Sequence, residues 1–210
     1  MIRAVIFDMD GTLYDTEVVY GMAWTDAGLT HEQYLQMIGR SQNVNDAKLA
    51  EWGMDPVSVR SKRNAFITQW LGQHGLPVKS GAEKTLQWLK KQGIPAAVAT
   101  SSPLTVAEKY LVASGFTAYF DKVLSGYMLE HSKPDPDIFL MAAEELGYDP
   151  SECMVVEDSY NGVRAGHSAG MLTVMIPDQI PADEEMHALA DAVLDSLEQL
   201  PAYIEEMNAG

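Results

Sequence analysis

The chain has 210 residues, 47% of them hydrophobic, and a formal charge of −16. That size and apolar content suit one α/β core with a small extra module and exclude a disordered chain. The acidic balance argues against nucleic acid or an anionic membrane as a partner, no stretch stays apolar long enough to cross a bilayer, and the one cysteine, Cys153, excludes a disulfide framework.

Met1 leads straight into an apolar run without a signal-peptide pattern, so a bacterial-style cytoplasmic location is expected. The run comprises Ile2, Ala4, Val5, Ile6 and Phe7 and breaks off at Asp8-Met9-Asp10-Gly11-Thr12. An unbroken apolar run of this length suits a strand buried on both faces of a parallel sheet. In an extended chain residues i and i+2 share a side, so Asp8 and Asp10 point together while Met9 points away. Two carboxylates that close require a divalent cation, a shared proton or solvent. A calcium loop of the EF-hand type does not fit, because Leu13 stands where the turn glycine belongs and Val19 where the closing glutamate belongs.

Helical patterning follows. Residues 17–27 carry Val18, Val19, Met22 and Ala23 and stop at Gly28; Thr30 and Gln33 form a capping box for a helix through Ile38. A third helix spans residues 45–52, and Asp55-Pro56 caps a fourth that carries Phe66, Ile67, Trp70 and Leu71. From Ser80 onward helices and strands alternate. Ser80 and Glu83 read as a second capping box. Strands are expected at residues 94–99, 122–125, 154–156, 172–176 and 192–194, with helices in the first three gaps between them, solvated acids such as Asp183, Glu184 and Glu185 in the fourth, and a last helix over residues 196–206. This alternation is the pattern of a doubly wound, parallel, Rossmann-like α/β sheet. A small α-helical module, residues 15–78, interrupts the core of residues 1–14 and 79–210.

Three of the strands end in polar groups: Asp8 and Asp10; Thr100, Ser101 and Ser102; Glu157 and Asp158. A loop supplies Lys133. Taken singly, the hydroxyls and the Glu157-Asp158 pair read as helix caps, and Lys133 as a solvated loop residue. Together, at successive ends of a parallel sheet, they equip one edge for phosphoryl transfer. The carboxylates of Asp8, Asp10 and Asp158 suit Mg²⁺. Thr100 can bond a phosphate oxygen at a helix N-terminus, and Lys133 adds positive charge. One aspartate can attack phosphorus while its neighbour moves protons.

The motifs Asp8-Met9-Asp10-Gly11-Thr12, Ala97 to Ser102, Ser132 to Phe139, and Val155 to Ser159 with Asn161-Gly162-Val163 occur in this order. The sequence thereby resembles the haloacid dehalogenase superfamily, in the branch that contains β-phosphoglucomutase and its phosphatase relatives. The resemblance implies Asp8 as nucleophile and Asp10 as general acid/base. It implies that Thr100, Ser101 and Lys133 bind the phosphoryl group. It places Mg²⁺ among Asp8, the Asp10 backbone carbonyl, Glu157 and Asp158. The helical module then corresponds to a cap over the substrate.

The mutases of that branch carry a histidine at the position of Tyr20 and cations at positions that look like Ile38 and Gln42. Their absence favours a phosphatase acting on a small phosphorylated metabolite, such as a sugar phosphate, over a phosphomutase or a non-catalytic binding protein. Arg40 is the cap residue expected to touch substrate; should the protein be a mutase, Arg40 and Lys48 are the first candidates for its cap cations. A monomer or weak homo-oligomer is expected.

Overall fold

The structure, a computed structural model, describes residues 1–40 and 42–210. Its frame is a six-stranded sheet of β1 (Ala4–Phe7), β2 (Ala96–Thr100), β3 (Lys122–Ser125), β4 (Cys153–Glu157), β5 (Leu172–Met175) and β6 (Ala192–Val193). The order is β3-β2-β1-β4-β5-β6 and every pairing is parallel. The chain builds outward from β1 in one direction, then returns to β1's other side with β4. The order therefore reverses at β1, and that reversal opens a crevice at the carboxyl end of the strand.

Alternation along the strands explains both faces. Val5, Phe7, Val98, Met154 and Val156 meet α5 (Ala82–Gln92), α6 (Leu104–Ser114) and α10 (Leu200–Ala209) through Leu86, Leu89, Leu111, Leu200 and Ile204. Ala4, Ile6, Ala97, Ala99 and Val155 meet α7 (Asp137–Leu146) and α8 (Tyr160–Ser168) through Phe139, Ala142 and Ala165. Because both faces are covered, the strands read as continuous apolar runs.

Between β1 and α5 lie α1 (Thr16–Asp26), α2 (His31–Leu35), α3 (Gln42–Glu51) and α4 (Pro56–His74). They enclose a separate core of Trp24, Ala27, Leu29, Tyr34, Met37, Leu49 and Val59. The two crossings into this layer pair with each other: Asp15 N donates to Pro77 O at 3.0 Å and Lys79 N to Leu13 O at 3.0 Å. Lys79 Nζ ties the crossings to the core through Asp178, at 2.7 Å.

The Thr30–Gln33 box is formed, and Asp55 caps α4 through Val57 N and Ser58 N. Ser80 and Glu83 do not form a box. The chain turns at Gly81, α5 starts at Ala82, and the Ser80 hydroxyl donates to Glu198 at 3.4 Å instead. A further helix, α9 (Glu184–Leu189), falls where the sequence suggested only solvated acids. Asp183 caps it at Met186 N, and Met186 turns into the core.

Candidate active site

Asp8 directly follows β1, at the crevice. Its Oδ1 accepts from Lys133 Nζ at 2.5 Å. The same ammonium donates to Ala99 O at 2.9 Å and to Glu157 Oε1 at 2.7 Å. One lysine thus spends its three donors on the ends of β1, β2 and β4. Glu157 Oε2 accepts from Asp158 N, Ser159 N and Ser159 Oγ, each at 3.0 Å. Asp158 Oδ1 accepts from the Thr12 hydroxyl at 3.0 Å. Carboxylate oxygens of Asp8, Glu157 and Asp158 lie within 4.8 Å of one another, all buried.

Two glycines make this density possible. A Cβ on Gly11, whose φ is +87°, would stand 2.2 Å from Asp158 Oδ2. One on Gly162 would stand 1.8 Å from the Glu157 carboxyl carbon. Burial pushes the Asp8 carboxyl up to about 7 against the pull of Lys133. Burial, then Glu157 and Asp8, raises Asp158 well above the carboxylate range. Burial works against the Lys133 ammonium, but Asp8 and Glu157 outweigh it and raise its pKa. Such a crowd of acids calls for a cation, and its all-oxygen donor set fits Mg²⁺.

Asp10 faces elsewhere. Its Oδ1 accepts from the hydroxyls of Thr16 at 2.7 Å and Tyr20 at 2.9 Å, both on α1. Its Oδ2 accepts from Ser102 Oγ at 2.7 Å. The Asp10 carboxylate is therefore outside the acidic cluster and linked to the helical layer. Thr100 is buried at the end of β2, where its Oγ1 accepts from Ser102 N at 3.0 Å within the turn before α6; it does not cap that helix, whose N-cap, Pro103, has no side-chain cap bond.

These groups line one cavity of about 410 Å³, floored by the sheet edge and roofed by the helices. Ser101, Arg40, Ile38 and Gln42 line it too. Arg40 is exposed. Lys48 is not at the cavity; it bonds Glu51 at 3.2 Å and lies over Trp52. Sequence reasoning looked for cap cations only near the α2–α3 loop and missed Arg60 and Arg63 on α4, which line the cavity. Arg63 lies over the Trp24 ring at 4.6 Å, and burial lowers its pKa. Glu17 was also missed. It is buried on α1 against Tyr34, whose hydroxyl lies 2.8 Å from Glu17 Oε2. An acid amid the apolar residues of a helix was the signal available. The roof meets the core where Tyr127 OH donates to Gln42 Oε1 at 3.0 Å and Asn161 Nδ2 to Gly39 O at 3.3 Å.

Fold and site together define an α/β enzyme whose acids gather at the carboxyl edge of its sheet. A family model described as a haloacid dehalogenase-like hydrolase matches residues 2–170. Hexitol phosphatase B of Escherichia coli (strain K12) is 30% identical over 96% of this chain and 95% of its own length. A bifunctional riboflavin kinase/FMN phosphatase of Arabidopsis thaliana is 30% identical over 92% of this chain, which spans only 53% of that longer protein. Among solved structures, a β-phosphoglucomutase from Clostridium difficile matches with a TM-score of 0.82 at 27% identity, covering 98% of this chain and 96% of that one. The chain belongs to the haloacid dehalogenase-like hydrolase family.

Proposed function

We propose that this enzyme is a Mg²⁺-dependent phosphatase that hydrolyses a small phosphorylated metabolite, such as a sugar phosphate, through an aspartyl-phosphate intermediate. The observation that carries the reading is the single lysine that ties Asp8, Glu157 and the end of β2 together beside Asp158, at the floor of the cavity. The phosphatase relative spanning nearly the whole chain supports it.

In this reading Asp8 attacks phosphorus and the ester P–O bond breaks. Asp10 gives its proton to the leaving oxygen, then takes one from the water that attacks the aspartyl phosphate. Release of inorganic phosphate restores both carboxyl groups. Asp10 is suited to both roles because its three partners are hydroxyls, and a hydroxyl can donate to a carboxylate or accept from a carboxylic acid. Thr100 and Ser101 hold the phosphoryl oxygens, and Lys133, its three donors engaged by Asp8, Ala99 O and Glu157, adds positive charge beside them. Mg²⁺, held by Asp8, Glu157, Asp158 and the Asp10 carbonyl, would supply charge neutralisation for the phosphoryl group.

Residues 15–78 form the cap and residues 1–14 and 79–210 the core, with the paired crossings as the hinge. Arg40 sits at the rim as a substrate contact. The enzyme works in the cytoplasm as a monomer or weak homo-oligomer. A screen of phosphorylated metabolites with phosphate release as readout tests the reading. Turnover of at least one small phosphomonoester is expected with Mg²⁺ and none in excess EDTA. Full activity in EDTA would contradict the metal role.

A further inference from the structure

Behind the partners of Asp10 stands a further hydroxyl, on the core. Tyr20 of α1 donates to Asp10 Oδ1 at 2.9 Å, and its oxygen lies 3.3 Å from the hydroxyl of Tyr110 on α6. A phenol has one proton. Tyr20 spends its own on Asp10, so at the second contact Tyr110 is the donor. The result is a one-way chain of hydrogen bonds, from Tyr110 to Tyr20 to Asp10, and all three residues line the cavity. Among the described residues the Tyr110 hydroxyl meets no other hydrogen-bonding group. The Tyr110 ring is buried edge-on against Tyr14, with centroids 5.7 Å apart, and the Tyr14 hydroxyl meets Ser114 of α6 at 2.8 Å. Core packing therefore holds the ring of Tyr110 in place, independently of the helical layer.

The bonds at Asp10 give this chain a use. A carboxylate offers about four acceptor sites, two on each oxygen. Thr16 and Tyr20 fill both sites on Oδ1, and Ser102 fills one on Oδ2. One site on Oδ2 is left for the proton that passes to the leaving oxygen. A Tyr20 hydroxyl free to swing would open Oδ1 as a competing site for that proton. A donor behind Tyr20 fixes its hydroxyl, and linked hydrogen bonds strengthen one another. We propose that Tyr110 is a positioning residue for leaving-group protonation: it holds the Tyr20 hydroxyl on Asp10 Oδ1 and so keeps the proton of Asp10 on Oδ2. The chain runs from core to cap and back to the core, so it is complete only when the cap is closed. The proposal rests on the phosphatase reading, and within it on Asp10 as the acid.

Two substrates that differ in their need for a proton test it. The alkoxide of glucitol 6-phosphate must be protonated as it leaves, whereas the phenolate of p-nitrophenyl phosphate leaves without a proton. If glucitol 6-phosphate is not turned over, the alkyl phosphate ranked first in the metabolite screen replaces it. The quantity compared is kcat/KM, which reports transition-state stabilisation relative to free enzyme and substrate. Tyr110→Phe keeps the ring against Tyr14 and removes only the hydroxyl. It should lower kcat/KM about fivefold for glucitol 6-phosphate and less than about twofold for p-nitrophenyl phosphate. Tyr20→Phe should lower the glucitol 6-phosphate value at least as far, and adding Tyr110→Phe to it should cost nothing more. Equal losses on the two substrates, no loss on glucitol 6-phosphate, or the same further loss in the Tyr20→Phe background would overturn the role of Tyr110. Asp10→Asn separates this from the wider reading. If that folded variant hydrolyses glucitol 6-phosphate at the wild-type rate, the acid role of Asp10 falls and the role of Tyr110 with it. If Asp10→Asn loses that activity while Tyr110→Phe keeps it in full, the role of Tyr110 alone is overturned.

Discussion

Glu17 shows how one buried side chain sets a pH dependence. A tyrosine hydroxyl has a single proton, yet Tyr34 OH lies 2.7 Å from Glu17 O and 2.8 Å from Glu17 Oε2. Both contacts are satisfied at once when Glu17 carries its own proton. Burial, and then the charge of Asp10, accordingly pushes the Glu17 carboxyl up to about 8. The folded state holds this proton more tightly than the unfolded chain does. The cost to stability is therefore absent below the unfolded pKa and grows as pH rises toward 8. Glu17→Gln removes that cost. It should leave stability near wild type at pH 5 and raise it at pH 8.5, by up to about 5 kcal/mol, the ceiling set by a shift of this size. Urea melts at the two pH values measure it. A stabilisation equal at both would show that Glu17 does not titrate in this window.

At the scale of elements, the sheet was readable because buried parallel strands are apolar throughout. The run from Ile2 to Phe7 stops where β1 stops, and residues 122–125 match β3 residue for residue. The acids at the strand ends were readable for the same reason: an Asp or Glu that ends such a run has nowhere to go but the sheet edge. What was hidden depends on contacts distant in sequence. The start of α5 turns on Glu198, 118 residues from Ser80. The packing of α9 depends on Met186 reaching a pocket beside Val163 and Met175. Arg60, Arg63 and Glu17 were hidden because only the folded cap brings α1 and α4 together over one cavity. Helix α8 yields a prediction at this scale. It approaches β4 so closely that Gly162→Ala places a methyl group on the Glu157 carboxylate, whose Oε1 is the lysine's partner. The variant should lose about 1–3 kcal/mol of stability from overpacking and require more Mg²⁺ for half-maximal turnover. Thermal melts and a Mg²⁺ titration check both. A wild-type metal requirement would show that Glu157 is not part of the metal site.

Over the whole molecule, the cap and core meet above the acids, and Asp10 belongs to both. Two of its three hydroxyl partners, Thr16 and Tyr20, lie on the first cap helix, and the third, Ser102, lies on the core. Opening the cap would strip the first two from it, so under the proposed mechanism Asp10 is set in place for acid/base work only when the substrate is enclosed. Of the cap cations that line the cavity, Arg60 is paired with Asp46, Arg63 is stacked on Trp24 and Arg40 lies exposed at the rim. The phosphatase reading therefore predicts little mutase turnover. Given β-glucose 1-phosphate with a trace of the 1,6-bisphosphate, the protein should form little or no glucose 6-phosphate in a dehydrogenase-coupled assay. Glucose 6-phosphate formation far exceeding phosphate release would make it a mutase.

The central claim is that Asp8 forms the covalent bond to phosphorus. The most direct measurement is phosphate release by Asp8→Asn, on the best substrate from the metabolite screen and with Mg²⁺ present, for protein whose melting shows it to be folded. An amide in place of the attacking carboxylate should cost on the order of 10³-fold or more in kcat. A folded Asp8→Asn protein that releases phosphate at the wild-type rate would contradict the account.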